Sequence, residues 1–182
     1  MKKRKSLKES LYDYKEYEFS IKEYLKDGLK YYETEEYGLL GVMLAFTEAL
    51  SMIHQSHHWQ KQGDSFFGDH LMYQRLYEET NAEIDVLAEK IVGVGGIKMT
   101  NYFTRLSIIR SFMRGVAKGE APEVESHRAE LMYVIAGEMV MDVLKEKDIL
   151  TRGIEQALGN ILDKHESHIY LLQNRNNAAI NQ

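Results

Sequence analysis

A single proline, Pro122, interrupts 182 residues. Proline removes a backbone donor and breaks a helix interior, so its near absence leaves long stretches free to stay helical. Abundant Leu, Glu, Lys, Met and Ala favour the same state. The chain reads as all-α. Leu39, Val42, Met43, Phe46, Leu50 and Ile53 recur at three and four residues, which predicts a helix from Glu35 to about Lys61. Gly63 reads as its end, and Asp64 or Ser65 as the cap of the next helix. Leu71, Leu76, Ile84, Leu87, Ala88 and Ile91 carry that second helix from about Ser65 to Val92, where the run GVGG stops it.

The segment YFTRLSIIRSFMRGV predicts a short helix near 101–114. Pro122 suits the first turn of a third long helix, where its missing N–H costs nothing. Met132, Ile135, Met139, Val140 and Val143 mark its apolar side as far as about Lys145. Asp148 reads as the cap of a fourth, ending near Asn174, with Ile154, Leu158, Ile161, Leu162 and Ile169 on its stripe. Short links make antiparallel neighbours, and one long link lets the chain cross the bundle. The expectation is a ferritin-like four-helix bundle over residues 35–175, with a short extra helix in the long crossover between helices two and three. An N-terminal extension, 1–34, precedes it and a C-terminal tail, 176–182, follows.

A chain of this length buries a core without disulfides or a structural metal. It has no cysteine, which excludes disulfide frameworks, thiolate zinc sites and cysteine nucleophiles. No apolar run approaches the ~20 residues of a membrane span. The opening MKKRKSLKES is basic and leads into no apolar signal core. The expectation is a cytoplasmic protein with no membrane partner. Net charge is −5, yet Lys2, Lys3, Arg4, Lys5 and Lys8 crowd the first eight residues. Such an arm is either a solvated tail or a grip on phosphates through counterion release. Five cations hold DNA weakly, but many copies on one particle act together, and the protein would then be nucleoid-associated. Residues 9–33 are crowded with tyrosine. Tyr17, Phe19 and Ile21 alternate as in a strand, whereas Leu11, Leu25 and Leu29 suit a helix. The extension reads as partly helical, its aromatics serving packing or an interface.

Seven histidines are present, and three of them, His57, His58 and His70, bracket one glycine-containing turn. Ferritin-like metal sites in the middle of a bundle use Glu-x-x-His on two helices. No histidine here has a glutamate three residues before it, so that site lacks its usual ligands. Another set is available. His58 ends the first helix, His70 and Gln74 share a face of the second, and Asp85 and Glu89 share one further along. Residues 70 and 85 are ~22 Å apart on a straight helix at 1.5 Å per residue. Metal–ligand bonds of about 2.0–2.6 Å cannot bridge that. If all these residues ligate, they come from two chains. A second helix crossing its own antiparallel copy near Glu79 and Thr80 sets 70 and 74 opposite 85 and 89, twice per two-fold dimer. Mixed imidazole and carboxylate donors suit iron, zinc or manganese. Taken singly, each pair also fits a solvated helix face or a capping residue. His54, His57 and His127 read as interface or surface positions, and His165 and His168 as interface packing.

His58–Trp59, Gly63, Phe66–Phe67, His70, Glu83, Asp85, Ala88–Glu89–Lys90 and Gly95–Gly96 resemble the signature of the Dps family, the mini-ferritins or DNA-binding proteins from starved cells. The offsets from 58 to 70, 85 and 89 match that signature, and LDKHESHIYLLQNR resembles the family's last helix. The resemblance spans roughly residues 36–175. It implies a hollow dodecamer built from two-fold dimers, which oxidises Fe(II), typically with hydrogen peroxide, and stores ferric mineral. It implies that His58 and His70 of one chain meet Asp85 and Glu89 of the next, with Glu89 the strongest iron ligand and Trp59 close by. One position departs: Gln74 stands where the family commonly carries an acid. A neutral amide there weakens the second iron position. The alternative reading is therefore a DNA-coating shell with a weakened oxidase site.

Overall fold

The structure is a computed structural model that describes residues 14–32 and 36–180, so Lys2, Lys3, Arg4, Lys5 and Lys8 lie outside the described residues. Among these, six α-helices and no strand occur: α1 Tyr14–Leu29, α2 Gly38–Gln60, α3 Phe66–Gly95, α4 Tyr102–Val116, α5 Pro122–Glu146 and α6 Arg152–Ile180. Single 3-10 turns, Lys30–Tyr32 and Ile97–Thr100, follow α1 and α3.

The bundle is made by α2, α3, α5 and α6. α2 packs along α3 and α5 along α6, and the two pairs close through α2 on α5 and α3 on α6. α4 lies in the crossover and packs on α2. α2 is apolar on every side, and Gly38 through Thr47 are all buried. Among the described residues it is the one helix long and apolar enough, by length and composition, to cross a membrane. This corrects the expectation that no segment has that character. Most of it is enclosed by the other helices, as a helix with no polar face requires in a core.

Local signals behave as backbone chemistry dictates, with three corrections. Pro122 occupies the first turn of α5. Gly63 takes φ 85° and Gly96 φ 81°, conformations that cost a side chain-bearing residue about 1–2 kcal/mol. Ser65 stands at the start of α3, but its hydroxyl donates to Asp69 Oδ2 (2.8 Å) rather than capping. Asp69 is already gripped by Arg175 Nε at 2.6 Å and Lys61 at 3.0 Å, so the hydroxyl completes that carboxylate. Asp148 does not cap α6. It sits at φ 57° in the turn, and Thr151 Oγ1 accepts from the Ile154 N–H (3.2 Å) instead. The last helix also continues past Arg175 to Ile180, through the segment read as a tail.

The extension folds as α1 and is laid across α2, α4 and α5. Ile21 and Leu25 face inward while Phe19 is exposed, so the helical period prevails over the strand-like alternation. Tyr32 locks its end. The hydroxyl donates to the Met99 carbonyl (3.0 Å) and the ring lies over Gly41.

Candidate metal centre

α2 ends and α3 begins so that two imidazoles stack. The rings of His58 and His70 are 3.7 Å apart and 24° from parallel. Phe66 stacks on the outer face of this pair at 4.9 Å, and Tyr77 meets His58 edge-on at 5.3 Å. Each ring then bonds to the other residue's backbone. His58 Nδ1 lies 2.9 Å from the His70 carbonyl oxygen, and His70 Nδ1 3.1 Å from that of His58. A carbonyl only accepts, so both Nδ1 atoms carry hydrogen. In the neutral rings both lone pairs therefore sit on Nε2, the tautomer fixed as in metal-binding histidines whose second nitrogen is held by an acceptor.

Asp85 and Glu89 lie on the same continuous α3, both exposed. Neither makes a hydrogen bond or ion pair among the described residues. Helix α3 is unbroken from 70 to 89, so one chain does not bring them to its own imidazoles. Gln74 is committed elsewhere: its Nε2 donates to Glu78 Oε1 (2.8 Å). Trp59 is 68% exposed next to His58. Around these groups the surface is apolar. Phe67 (73% exposed), Leu71 (47%) and Val86 (51%) project from α3, with Met52 on α2 and Tyr102 and Leu106 on α4. At the level of residues 79 and 80 the outward positions are Glu78, Asn81 and Ala82, because Thr80 is buried with its hydroxyl donating to the Leu76 carbonyl.

The other histidines depart from expectation. His54 and His57 are buried, not at a surface or interface, and His127 is half-buried. His165 and His168 are fully buried inside the bundle. They converge on Glu130 of α5, which is also fully buried. Glu130 Oε2 faces His165 Nδ1 at 2.7 Å, and Oε1 faces His168 Nδ1 at 3.0 Å and His54 Nε2 at 2.7 Å. The outer nitrogens meet two carboxylates of α3. His165 Nε2 is 2.8 Å from Glu83 Oε2, and His168 Nε2 is 2.8 Å from Glu79 Oε2. Lys164 sits 2.8 Å from Glu83 Oε1. Ser126 Oγ joins His54 Nδ1 to His57 Nδ1 (3.2 and 2.7 Å).

Burial alone would raise the Glu130 carboxyl, but the charge and N–H of His165, with hydrogen bonds from His168 and His54, hold it well below the carboxylate range. Burial would likewise strip the proton from His165, yet Glu130 and Glu83 lift it to about 9. For His54 burial outweighs Glu130 and lowers it, and burial takes His57 down to about 4. The sequence signal for this cluster is periodic. His165 and His168 stand on the inward stripe Leu158, Ile161, His165, His168, Leu172, and Glu83 on Leu76, Thr80, Glu83, Leu87. Reading those stripes for apolar residues alone passes over them.

No profile of a known protein family matches the chain. It is similar to DNA protection during starvation protein 2 of Bacillus anthracis, 35% identical over 129 residues that cover 69% of this chain and 82% of that protein. The DNA protection during starvation protein of Brevibacillus brevis is 26% identical over 124 residues, 64% of this chain and 77% of the relative. The nutrient stress-induced DNA-binding protein of Nostoc sp. is 26% identical over 139 residues, 73% and 72%. Among solved structures, the Dps protein of Vibrio cholerae O1 is described as one of a broad superfamily of ferritin-like diiron-carboxylate proteins. It superposes with a TM-score of 0.61 at 16% identity, over 82% of this chain and 90% of that one. Dps from Thermosynechococcus elongatus gives 0.62 at 15% identity, over 81% and 93%. The bundle is a ferritin-like fold.

Proposed function

Because the chain belongs to the family of DNA protection during starvation proteins, we propose that it oxidises Fe(II) at sites shared between two copies and stores the ferric product inside a closed shell. The observation that carries this reading is the His58–His70 pair, with both Nδ1 atoms tied to carbonyls and both Nε2 atoms left as donors. Asp85 and Glu89 are carboxylates with no hydrogen bond or ion pair among the described residues, about 22–28 Å along the helix from His70. An antiparallel copy of α3, crossing at the height of residues 79 and 80, supplies them to the imidazoles. The apolar rim of Phe67, Leu71 and Val86 supports a self-association surface of this kind.

Iron is the substrate. Carboxylates favour Fe(III) over Fe(II), so Glu89 and Asp85 promote loss of an electron, while His70 and His58 hold the ferrous ion. Two Fe(II) held together let hydrogen peroxide take both electrons. The balance is two Fe(II), one peroxide and two protons to two Fe(III) and two waters, with no hydroxyl radical released. Zinc or manganese fits the same donors without that redox step. Glu78, held by Gln74, stands one turn from the position of the missing acid.

Mixing tests the shared site. His70→Ala and Glu89→Ala are each expected to lose Fe(II) oxidation, followed by the ferric absorbance after peroxide addition. In a two-fold dimer one chain of each kind rebuilds one site of two. An equal mixture, dissociated and reassembled, is therefore expected to recover about a quarter of the wild-type sites. No recovery would place all the ligands in one chain and end this reading. A second role follows from the relatives' names: the basic residues 2–8 on many copies form a DNA-binding arm. The shell of this family is taken as a dodecamer.

A further inference from the structure

We propose that Glu130, His165 and His168 form a second metal site in the core of each bundle, which takes a divalent first-row transition ion. It is independent of the interface pair. The three donor atoms lie within 4.8 Å of one another, and all three residues are buried. Ligands on opposite sides of an ion with bonds of about 2.0–2.2 Å are separated by about twice that, so a small rotamer adjustment closes the shell.

The arrangement is directional. Both Nδ1 atoms turn toward the two oxygens of one carboxylate, Glu130. Both Nε2 atoms turn away from it, to Glu83 and Glu79. An ion between the Nδ1 atoms and Glu130 keeps those outer contacts and completes two carboxylate–imidazole–metal relays, the pattern that orients ligating histidines. His54 Nε2, on Glu130 Oε1, holds that carboxylate in place or joins the shell.

An ion seated there takes the place of the hydrogens that bridge each Nδ1 to Glu130, so binding releases protons. Without such a use the cluster is costly. Replacing buried ionic groups by apolar side chains of similar volume is often neutral or stabilising. Imidazole with carboxylate selects Fe(II), Mn(II), Co(II) or Zn(II) over the all-oxygen ions Mg(II) and Ca(II). Entry is short. Glu79 and Lys164 are partly exposed at the α3–α6 seam and lead directly to His168 and Glu83.

Co(II), which is stable in air, is the probe. Crystals of the full chain are equilibrated with Co(II) and anomalous differences are collected at the cobalt edge. A peak between Glu130, His165 and His168 is expected. Peaks only beside His58 and His70 would overturn this site and leave the interface reading intact, and no peak at either place would overturn both. In solution, His70→Ala with Glu89→Ala is expected to keep one Co(II) per chain with the visible bands of mixed nitrogen and oxygen ligation. Adding Glu79→Gln, a partly exposed position whose change leaves the core packed, is expected to weaken that ion about 10–100-fold. Unchanged affinity would also overturn the site.

Discussion

His54 and His165 both bond to Glu130, yet the fold drives them in opposite directions. His54 has one carboxylate and a hydroxyl, and burial lowers its basicity. His165 has a carboxylate on each nitrogen, and Glu130 with Glu83 overcomes burial to reach about 9. A folded-state value above the unfolded ~6.5 contributes stability that is complete below ~6.5 and is lost as pH rises through about 9. His54 and His57, both lowered, are neutral in both states above that range and act only as pH falls below it. Glu130 is likewise lowered, so its contribution is lost only in acid. His165 therefore contributes across the interval from about 6.5 to 9. Urea unfolding of chelator-treated protein is expected to show stability falling across it, by at most about 1.4 kcal/mol per pH unit. His165→Gln is expected to remove the slope; a flat profile in the unmodified chain would refute the assignment.

At the scale of elements, α1 packs on the bundle through Ile21 and Leu25, and the turn after it is fixed by one tyrosine over one glycine. A Cβ on Gly41 would stand 2.8 Å from two ring carbons of Tyr32, whose hydroxyl is fixed on the Met99 carbonyl. Tyr32→Phe keeps the ring and loses that bond, an expected cost of about 1 kcal/mol. Gly41→Ala displaces the buried ring itself and is expected to cost about 1–3 kcal/mol through overpacking. Hydrogen exchange is expected to rise in α1 and in the Ile97–Thr100 turn in both variants, more in the second. The extension was legible as helix at Leu11, Leu25 and Leu29, the first of which lies outside the described residues. Its attachment was not, because the partner of Tyr32 stands 67 positions away.

For the whole molecule, exposed apolar residues on α3 are the economical place to test assembly. Leu71 and Val86 are about half exposed and lie outside the buried core, so Leu71→Glu with Val86→Glu is expected to leave the helical content of the bundle intact. Sedimentation is expected to show loss of the shell. Iron oxidation should fall with it, as should salt-dependent retardation of DNA. Removing residues 1–8 is expected to abolish only the retardation. An assembly-defective chain that still oxidised iron at the wild-type rate would move the chemistry into the single bundle.

Helix positions, the crossover and the stop at GVGG were determined by the sequence alone. A helical period and a glycine at positive φ depend on backbone sterics within a few residues. The His58–His70 pairing was legible for a related reason: a five-residue link, 61–65, leaves little choice of how α2 and α3 meet. Tertiary structure decided the rest. Glu130 gathered imidazoles from positions 54, 165 and 168. A polar side chain on an inward stripe must find a partner in the core. Which partner it finds depends on how four helices pack, and contacts spanning 35 to 89 residues are set by that packing rather than by any local preference.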